Sequence, residues 1–470
     1  MMYRLLRPPR ALSYSRLFRR RFASLSMAEP DPKLDWPEKE KVFQQELRAI
    51  DLKDLVIAMG GHDKPPEENL FAAFDEGFGF DTSAAVNRSV KEYQYVRKLG
   101  WATSSTVWLV LDKSKTPRKF FAMKLLTSQA SVQVAMDRCI KFDVYRKIGA
   151  ANADSPGAKH CLHLLRSFTL FNPHGVHSCF VTDALSSSPS CSWIIFIANV
   201  AIFTLVGRTP RRNPAHANVF CQDVKSDNIL TVIPDPVHSR IEKYVLENQP
   251  SVYGPPLKLE SQEEPLFFSS SEPLPYFDLG GTLEDISVRL VDYGQAMPVD
   301  SPIRPPLCQP GILRAPEVTL KYPWTSAIDI WTVGCLLFEL LTEQHLFHQG
   351  YKGETEYSHK LHLQHIEEYL GPFPPELLKN CEDRDKYFDD KGGSKYSAML
   401  LSIDPFIFKA CCSTPIREYE PAPIEDILRA LEVMDEDEVP KTATFLRKCL
   451  ALDPKLRPSA QDLLKDDWFR

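Results

Sequence analysis

The stretch CQDVKSDNIL, residues 221–230, places three reactive side chains close together: Asp223, Lys225 and Asn228, at the spacing D-x-K-x-x-N. A carboxylate at Asp223 could orient a hydroxyl group and accept its proton, and Lys225 could neutralise a phosphoryl group in transit. Asn228 supplies an amide oxygen, which suits a magnesium ion. The same residues would also suit a helix N-terminus with an aspartate cap. The stretch alone leaves both interpretations open.

Two stretches nearer the N-terminus offer groups for phosphate binding. LGWATSSTVWL, residues 99–109, has a glycine at position 100, where the missing Cβ lets backbone N–H groups approach a phosphate. Lys124 lies in FAMKLL, between apolar neighbours, as expected for an ammonium group that points into a cleft. A plain β-hairpin and an ordinary surface lysine are the alternatives.

Three further strings follow in order. Asp292 in VDYGQA comes directly after a strand-like run and before a glycine, a pattern typical of a metal-binding carboxylate at a loop. Glu317 lies in LRAPEV and Asp329 in DIWTVG, and Arg457 lies in LDPKLRPS near the C-terminus. Each string is common by itself, whereas their joint order and spacing are not.

The overall composition limits the class of protein. A chain of 470 residues, 43% hydrophobic and 25% charged, can bury the core of one large or two medium domains. The net charge of −6 gives no general reason to expect direct nucleic-acid binding. Separately, we expect the protein to be a monomer. The eleven cysteines lack metal-ligand spacing, which favours free thiols and no structural metal.

Two segments raise the question of targeting. Residues 1–28 contain seven arginines and no acidic residue, which resembles a mitochondrial presequence; a disordered basic tail or initiation at Met27 is an equal alternative. Residues 29–85 are interpreted as an extension with a helix. The apolar run at residues 193–206 is shorter than the ~20 residues that a membrane-spanning helix needs, so no transmembrane segment is expected.

The hydrophobic pattern predicts an α+β fold. Alternating, β-branched segments from Tyr93 onward predict five strands with one helix, from about Ser131 to Ile148, inserted among them. After Asp183 the chain is mainly helical, and the clearest helix is TSAIDIWTVGCLLFELLT, residues 325–342. A small sheet lobe followed by a mainly helical lobe is therefore expected.

These strings together resemble the eukaryotic protein kinase family, and more closely its SR-protein kinase branch, especially the fungal members. The resemblance covers roughly residues 90–470, and Trp101 and Ser105 in GWATSSTVWL are typical of the branch. It implies the two-lobed protein kinase fold. Its predicted parts are an N-lobe with hinge at 86–185, a C-lobe at 186–470, a spacer-like insertion at 231–288 and a docking-type insert at 344–440.

The resemblance implies a serine/threonine kinase of Arg/Ser-rich proteins that uses ATP and Mg²⁺, located in the cytoplasm or nucleus. It makes Asp223 the catalytic base or orienter beside Lys225, and Asn228 and Asp292 the magnesium ligands. The implied ATP contacts are Leu99, Gly100, Val107, Ala122, Lys124, Asp183 and Leu185. The implied gatekeeper is Thr182, the implied buried ion pair joins Glu317 to Arg457, and the residue implied to brace the catalytic loop is Asp329.

Three departures favour a second hypothesis, a pseudokinase or nucleotide-binding interaction module. Lys141 stands where the family pairs a glutamate with the lysine at position 124, and Cys221 replaces a histidine. Residues 186–220 lack the long amphipathic helix that the family carries there. A neutral Gln222 instead fits a kinase that needs no activation-loop phosphate.

Overall fold

The computed structural model describes residues 89–102, 104–135, 141–150, 158–172, 175–187, 219–220, 222–251, 269–277, 286–298, 307–347, 358–389 and 422–469. The predictions for residues 1–28, 29–85 and 193–206 and for Cys221 lie outside these ranges, as do most of residues 186–220. The docking-type insert at 344–440 is described in part. Among the described residues, no helix has both the length and the apolar character needed to cross a membrane.

The described residues form two compact units. The first, here the sheet unit, draws its described residues from Met1–Phe142, His163–Ser187 and Ile233–Phe277. The second, here the helical unit, draws them from Asp143–Leu162, Ser188–Val232 and Asp278–Arg470. The predicted division counted the whole insertion at 231–288 with the second lobe, whereas its described residues 233–251 and 269–277 group with the sheet.

The described strands are β1 Ser89–Val90, β2 Tyr93–Ala102, β3 Ser105–Asp112, β4 Lys119–Leu126, β5 Leu164–Asn172, β6 Gly175–Asp183, β7 Leu185–Ser186, β8 Val219–Phe220, β9 Ile229–Val232, β10 Val288–Leu290 and β11 Met297–Pro298. The described helices are α1 Ser128–Ala135, α2 Lys141–Ala150, α3 Val237–Glu247, α4 Pro316–Thr319, α5 Ala327–Thr342, α6 His359–Leu370, α7 Pro375–Leu378, α8 Arg384–Tyr387, α9 Ile424–Leu431, α10 Val439–Cys449 and α11 Ala460–Leu463. The helix expected at 131–148 corresponds to α1 and α2.

The sheet unit contains a six-stranded antiparallel sheet in the order β1-β2-β3-β4-β6-β5. Alternation of side chains along each strand gives it two different faces. One face carries a closed apolar cluster that includes Tyr95, Val110, Met123 and Val181. The other face is covered in part by α3, because Ile241 of this helix packs in one cluster with residues of β3 and β4.

The helical unit is organised around α5. Every residue from Ile328 to Phe338 is buried, so this part of the helix is surrounded by other residues on all sides. Helix α10 packs closely on it, because Gly334 brings the helix backbone near Cys449 and Leu450. Two short strand pairs, β9 with β10 and β8 with β11, complete the part that positions the functional side chains.

Candidate active site

Three of the predicted ATP contacts on the sheet, Val107, Ala122 and Lys124, share one face. Lys124 of β4 lies directly opposite Val107 of β3, and Ala122 lies opposite Thr182 of β6. Directly opposed residues of antiparallel strands project to the same side of a sheet. Lys124 is half-buried among these mostly apolar neighbours, so its ammonium group is held beside an apolar surface that suits an aromatic base.

The turn that follows Gly100 joins β2 to β3. Gly100 lies opposite Val107, and a Cβ added at this glycine would meet nothing within 4 Å. Space is therefore open beside the backbone at the position predicted to approach a phosphate. Leu99, the preceding residue, is partly buried and packs in the cluster that α3 covers.

The hinge that the family resemblance implies consists of Asp183, Ala184 and Leu185, which follow one another at the end of the sheet. Asp183 is the last residue of β6 and lies opposite Phe121. Ala184 and Leu185 are buried, at 4% and 7% exposure. The hydroxyl of Thr182 donates to the backbone oxygen of Asp183 at 3.2 Å, so it is engaged within the same segment.

The residues of the opening stretch form a compact polar group in the helical unit. Asn228 donates through Nδ2 to the backbone oxygen of Asp223 at 2.8 Å and to its carboxylate Oδ2 at 3.2 Å. The ammonium of Lys225 lies 3.6 Å from the same Oδ2. Because two groups hold one carboxylate oxygen, the carboxylate is fixed in direction and its other oxygen remains for a further contact.

Strands β9 and β10 bring Asn228 and Asp292 together. Asn228 directly precedes β9, and Asp292 follows β10 by one residue, and the two strands pair antiparallel with Ile229 opposite Leu290. The backbone N–H of Val291 donates to the backbone oxygen of Asn228 at 2.8 Å. This short pair of strands is thus the local reason why two residues 64 positions apart meet.

The charges in this group influence each other. Burial raises the pKa of Asp223, the positive charge of Lys225 opposes that rise, and the negative charge of Asp292 adds to it. The hydrogen bond from Asn228 also lowers the pKa of Asp223. Two carboxylates close enough to repel one another are a suitable environment for a cation.

Asp292 has an unusual backbone conformation that aims its side chain. Its φ of 56° and ψ of 73° are left-handed, and its Oδ1 accepts a hydrogen bond from the N–H of Gly294 at 3.1 Å. The next residue, Tyr293, is buried: its hydroxyl donates to the backbone oxygen of Leu290 and accepts from the N–H of Leu162, both at 2.8 Å. The ring packs edge to face on Tyr145 of α2, with centroids 5.3 Å apart.

The residues with predicted structural roles make buried polar contacts in the helical unit. Asp329 accepts a hydrogen bond from the backbone N–H of Gln222 at 3.0 Å, and Gln222 has a left-handed φ of 55°. Arg457 pairs with Glu317 through two hydrogen bonds, 2.5 and 2.8 Å long, and both side chains are fully buried. Since the guanidinium also donates to the backbone oxygens of Ala327 and Ala451, the buried charge is well satisfied.

The structure thus collects the predicted residues into two groups, one in each unit. Leu99, Gly100, Val107, Ala122, Lys124, Asp183 and Leu185 lie in the sheet unit. Asp223, Lys225, Asn228, Asp292, Glu317, Asp329 and Arg457 lie in the helical unit. Helix α2 begins at Lys141, the position of the charge reversal, but the structure does not describe the side chain of this lysine.

Sequence reasoning missed one residue that shapes the segment after Asp292. The amide Nε2 of Gln309 donates to the backbone oxygen of Ile328 at 2.9 Å and to the hydroxyl of Thr332 at 2.6 Å. Its Oε1 accepts from the N–H of Ala315 at 3.0 Å. Gln309 therefore fastens the segment leading to Glu317 onto α5. Its position before a proline and a glycine, in CQPG, is only a turn signal.

Comparisons with known proteins agree with this geometry. A family model described as the protein kinase domain matches residues 282–469. A serine/threonine protein kinase of Aspergillus fumigatus is 27% identical over 412 residues, which cover 86% of this chain and 90% of that protein. The serine/threonine-protein kinase SRPK of Physarum polycephalum is 25% identical over 399 residues, covering 80% of this chain and 85% of that protein. A solved kinase-domain crystal structure, 19% identical, covers 84% of this chain and 99% of that chain with a TM-score of 0.55, so the fold is shared.

Proposed function

This chain belongs to the eukaryotic protein kinase family, and from that premise we propose that it transfers the γ-phosphoryl group of ATP to serine side chains of proteins rich in arginine and serine. It is a serine/threonine protein kinase, similar to the SR-protein kinase branch, and its substrates are proteins. The observation that carries the proposal is the arrangement of Asp223, Lys225 and Asn228. One carboxylate oxygen is held by two donors there, while the charge of Asp292 lies close by.

Each of these side chains has a separate task in the proposed reaction. The carboxylate of Asp223 orients the substrate hydroxyl and takes its proton as the new bond forms between that oxygen and the γ-phosphorus, while the bond from the γ-phosphorus to the β–γ bridging oxygen breaks and ADP leaves. The ammonium of Lys225, next to it, stabilises the negative charge that develops on the transferred group. Asn228 fixes the direction of the carboxylate through its amide N–H bonds to Asp223.

The helical unit offers ligands that fit magnesium. Asp292 brings a carboxylate, and the amide N–H group of Asn228 already faces Asp223, which leaves its oxygen as the ligand. Magnesium in phosphoryl-transfer enzymes is usually held by one or two carboxylates together with substrate phosphates, so two protein side chains are sufficient. When bound, the ion would neutralise charge on the phosphate oxygens.

The sheet unit supplies the residues proposed to hold the nucleotide. Val107, Ala122 and Leu185 would contact the adenine, and the backbone at Asp183 and Leu185 would hydrogen-bond its edge. The ammonium of Lys124 would reach the phosphates, with Leu99 and Gly100 covering them. The shared face of Val107, Ala122 and Lys124 supports this assignment.

A phosphoryl-transfer assay tests the proposal. The full chain is incubated with radiolabelled ATP, Mg²⁺ and a peptide of repeated Arg-Ser, beside the Asp292→Ala variant and a peptide in which every serine is alanine. We expect label on the Arg-Ser peptide with the unchanged chain alone. Equal labelling by the chain and by Asp292→Ala would overturn the proposed catalysis.

A thermal-shift measurement with Mg·ATP distinguishes the second hypothesis, a nucleotide-binding module without catalysis. Stabilisation by the nucleotide combined with no transfer to any peptide would favour that module. Transfer to a Lys-Ser peptide as fast as to the Arg-Ser peptide would leave the kinase intact but remove the preference for arginine.

A further inference from the structure

Part of the insertion belongs to the sheet unit. Ile233, Ile241 and Leu274 of the insertion are buried in one cluster with Leu109, Phe120 and Ala184. Three pieces of the insertion contribute: Ile233, which lies just before α3, helix α3 itself, and the segment of residues 269–277, here called the return arm. The described part of the insertion and the sheet therefore share one hydrophobic core.

The buried residue Arg97 belongs to strand β2 and contacts both helix α3 and the return arm. Its guanidinium donates to the hydroxyl of Tyr244 at 2.8 Å and to the backbone oxygen of Asn248 at 2.5 Å, just beyond the end of α3. It also lies 3.2 Å from the carboxylate of Glu272 in the return arm. The Arg97 side chain is 2% exposed and that of Glu272 is 28% exposed. A positive charge at the carbonyl end of a helix stabilises the helix. Because Arg97 is buried, water and salt screen this interaction less than they would at the surface.

The return arm makes hydrogen bonds next to both segments that the proposed function assigns to the nucleotide. The N–H of Glu272 donates to the backbone oxygen of Lys98 at 2.9 Å, two residues before Gly100. The backbone oxygen of Leu274 accepts from the N–H of Ser187 at 2.8 Å, and that of Pro275 accepts from the hydroxyl of Ser186. One short stretch of chain thus ties the strand entering the glycine turn to the residues that follow Leu185.

We infer that Arg97 and Glu272 are positioning residues for nucleotide binding. Neither is assigned a contact with the nucleotide. They anchor the return arm, and the arm sets the spacing between the glycine turn and the hinge, on opposite sides of the bound base. This inference rests on the proposed function, because it assumes that those two segments hold ATP. Weakening the contact between Arg97 and Glu272 lowers the affinity for ATP, because part of the binding energy must then order the binding site. It leaves the chemistry at Asp223 unchanged.

The test measures nucleotide binding separately from catalysis. Glu272→Gln removes the charge partner of Arg97 and keeps the backbone bond to Lys98. We expect its Kd for a fluorescent trinitrophenyl-ATP with Mg²⁺, and its KM for ATP, to rise about fivefold, with kcat and the KM for the Arg-Ser peptide within about twofold of the unchanged chain. Arg97→Lys, which keeps the charge but loses the forked donor geometry, should shift the same two quantities in the same direction.

Arg118→Ala is the matched control. Arg118 pairs with Glu242 at 3.2 Å and so also joins the sheet to α3, but its side chain is 66% exposed. Exposed ion pairs of this kind contribute little, so nucleotide binding should be unchanged. The inference is wrong if Glu272→Gln binds the nucleotide as tightly as the unchanged chain, or if kcat falls while KM for ATP does not. If the unchanged chain itself neither binds the nucleotide nor transfers phosphate, the proposed function fails, and the inference with it.

Discussion

At the scale of single residues, Asp223 is under opposing influences. Its burial and the nearby charge of Asp292 favour the protonated form, whereas Lys225 and Asn228 favour the charged form. A carboxylate that accepts a proton must be charged when the substrate arrives. Lys225 and Asn228 therefore favour the charged form of Asp223 that the proposed reaction requires.

Replacing Lys225 should change both the rate and its pH dependence. Lys225→Met removes a positive charge that lowers the pKa of Asp223, so that pKa rises and the acidic limb of the kcat/KM profile moves to higher pH. At neutral pH we also expect kcat to fall at least about tenfold, because the charge next to the transferred group is lost. Initial rates between pH 5 and 9 test this expectation. Asp227→Asn, at an exposed neighbouring site, is the control, and an acidic limb at the same pH in both variants would contradict it.

The buried pair of Glu317 and Arg457 gives a prediction about stability. Arg457→Met leaves the carboxylate of Glu317 buried without its partner, which we expect to cost about 3–5 kcal/mol of the free energy of unfolding. The double variant Glu317→Met/Arg457→Met should recover part of this loss, because no isolated charge is then buried. Urea unfolding of the three proteins provides the comparison. A double variant less stable than Arg457→Met would be inconsistent with this account.

At the scale of helices and strands, the contact between α5 and α10 depends on a glycine. A Cβ added at Gly334 would lie 2.8 Å from the Cβ of Cys449 and 2.9 Å from two carbons of Leu450. Such a distance is too short for carbon atoms, and the Cβ of Cys449 is fixed to the helix backbone. The two helices must separate if position 334 gains a side chain.

Two Gly→Ala substitutions in helices should therefore change the free energy of unfolding in opposite directions. Gly334→Ala is expected to lower the free energy of unfolding by about 1–3 kcal/mol through overpacking, despite the better helix propensity of alanine. Gly149→Ala in α2 meets nothing within 4 Å and should raise stability by up to about 1 kcal/mol. Thermal unfolding of the two variants is the measurement. Equal shifts of the same sign would show that propensity, not packing, decides at Gly334.

The elements differ in how well the sequence predicts them. Alternation marks β2, β3 and β4 clearly, because each strand has two different faces. Helix α3 was missed within a Pro-rich stretch, although Val237, Ile241, Tyr244 and Val245 follow helical spacing and could have revealed it. The apolar residues of α5 identify it as a helix, but they do not predict its burial on all sides, because such a helix has no polar face to indicate where solvent lies.

At the scale of the whole molecule, the local sequence pattern could not predict which of the two units the described part of the insertion packs with. The described residues of this insertion, such as Ile241 and Leu274, pack on a sheet whose strands lie between Ser89 and Asp183, and no short-range signal in the sequence records such a contact. The site was more predictable. The groups around Asp223 and Asp292 were found from motif order and from the family resemblance, and Arg97 was missed because one arginine in a strand has no distinctive pattern.

The pH dependence of global stability should depend in part on a buried histidine. His362 has its ring Nε2 2.7 Å from the backbone oxygen of Arg314, and burial lowers its pKa to about 3. Below its ordinary value of 6.5, the unfolded chain binds a proton that the folded chain does not, so stability falls as pH drops from 6.5 toward 3. His362→Gln should weaken this dependence between pH 7 and 5. Urea midpoints at several pH values test it, and identical slopes for the two proteins would contradict it.

The ion pair of Arg457 with Glu317 also has a consequence for synthesis on the ribosome. The two residues are 140 positions apart, so Glu317 leaves the exit tunnel long before its partner has been translated. Until then the carboxylate cannot be buried without a large penalty, and the core around α5 cannot close. We expect a nascent chain stalled with Arg457 still inside the exit tunnel to remain sensitive to proteases, and the same chain followed by a linker that brings Arg457 outside the tunnel to become resistant.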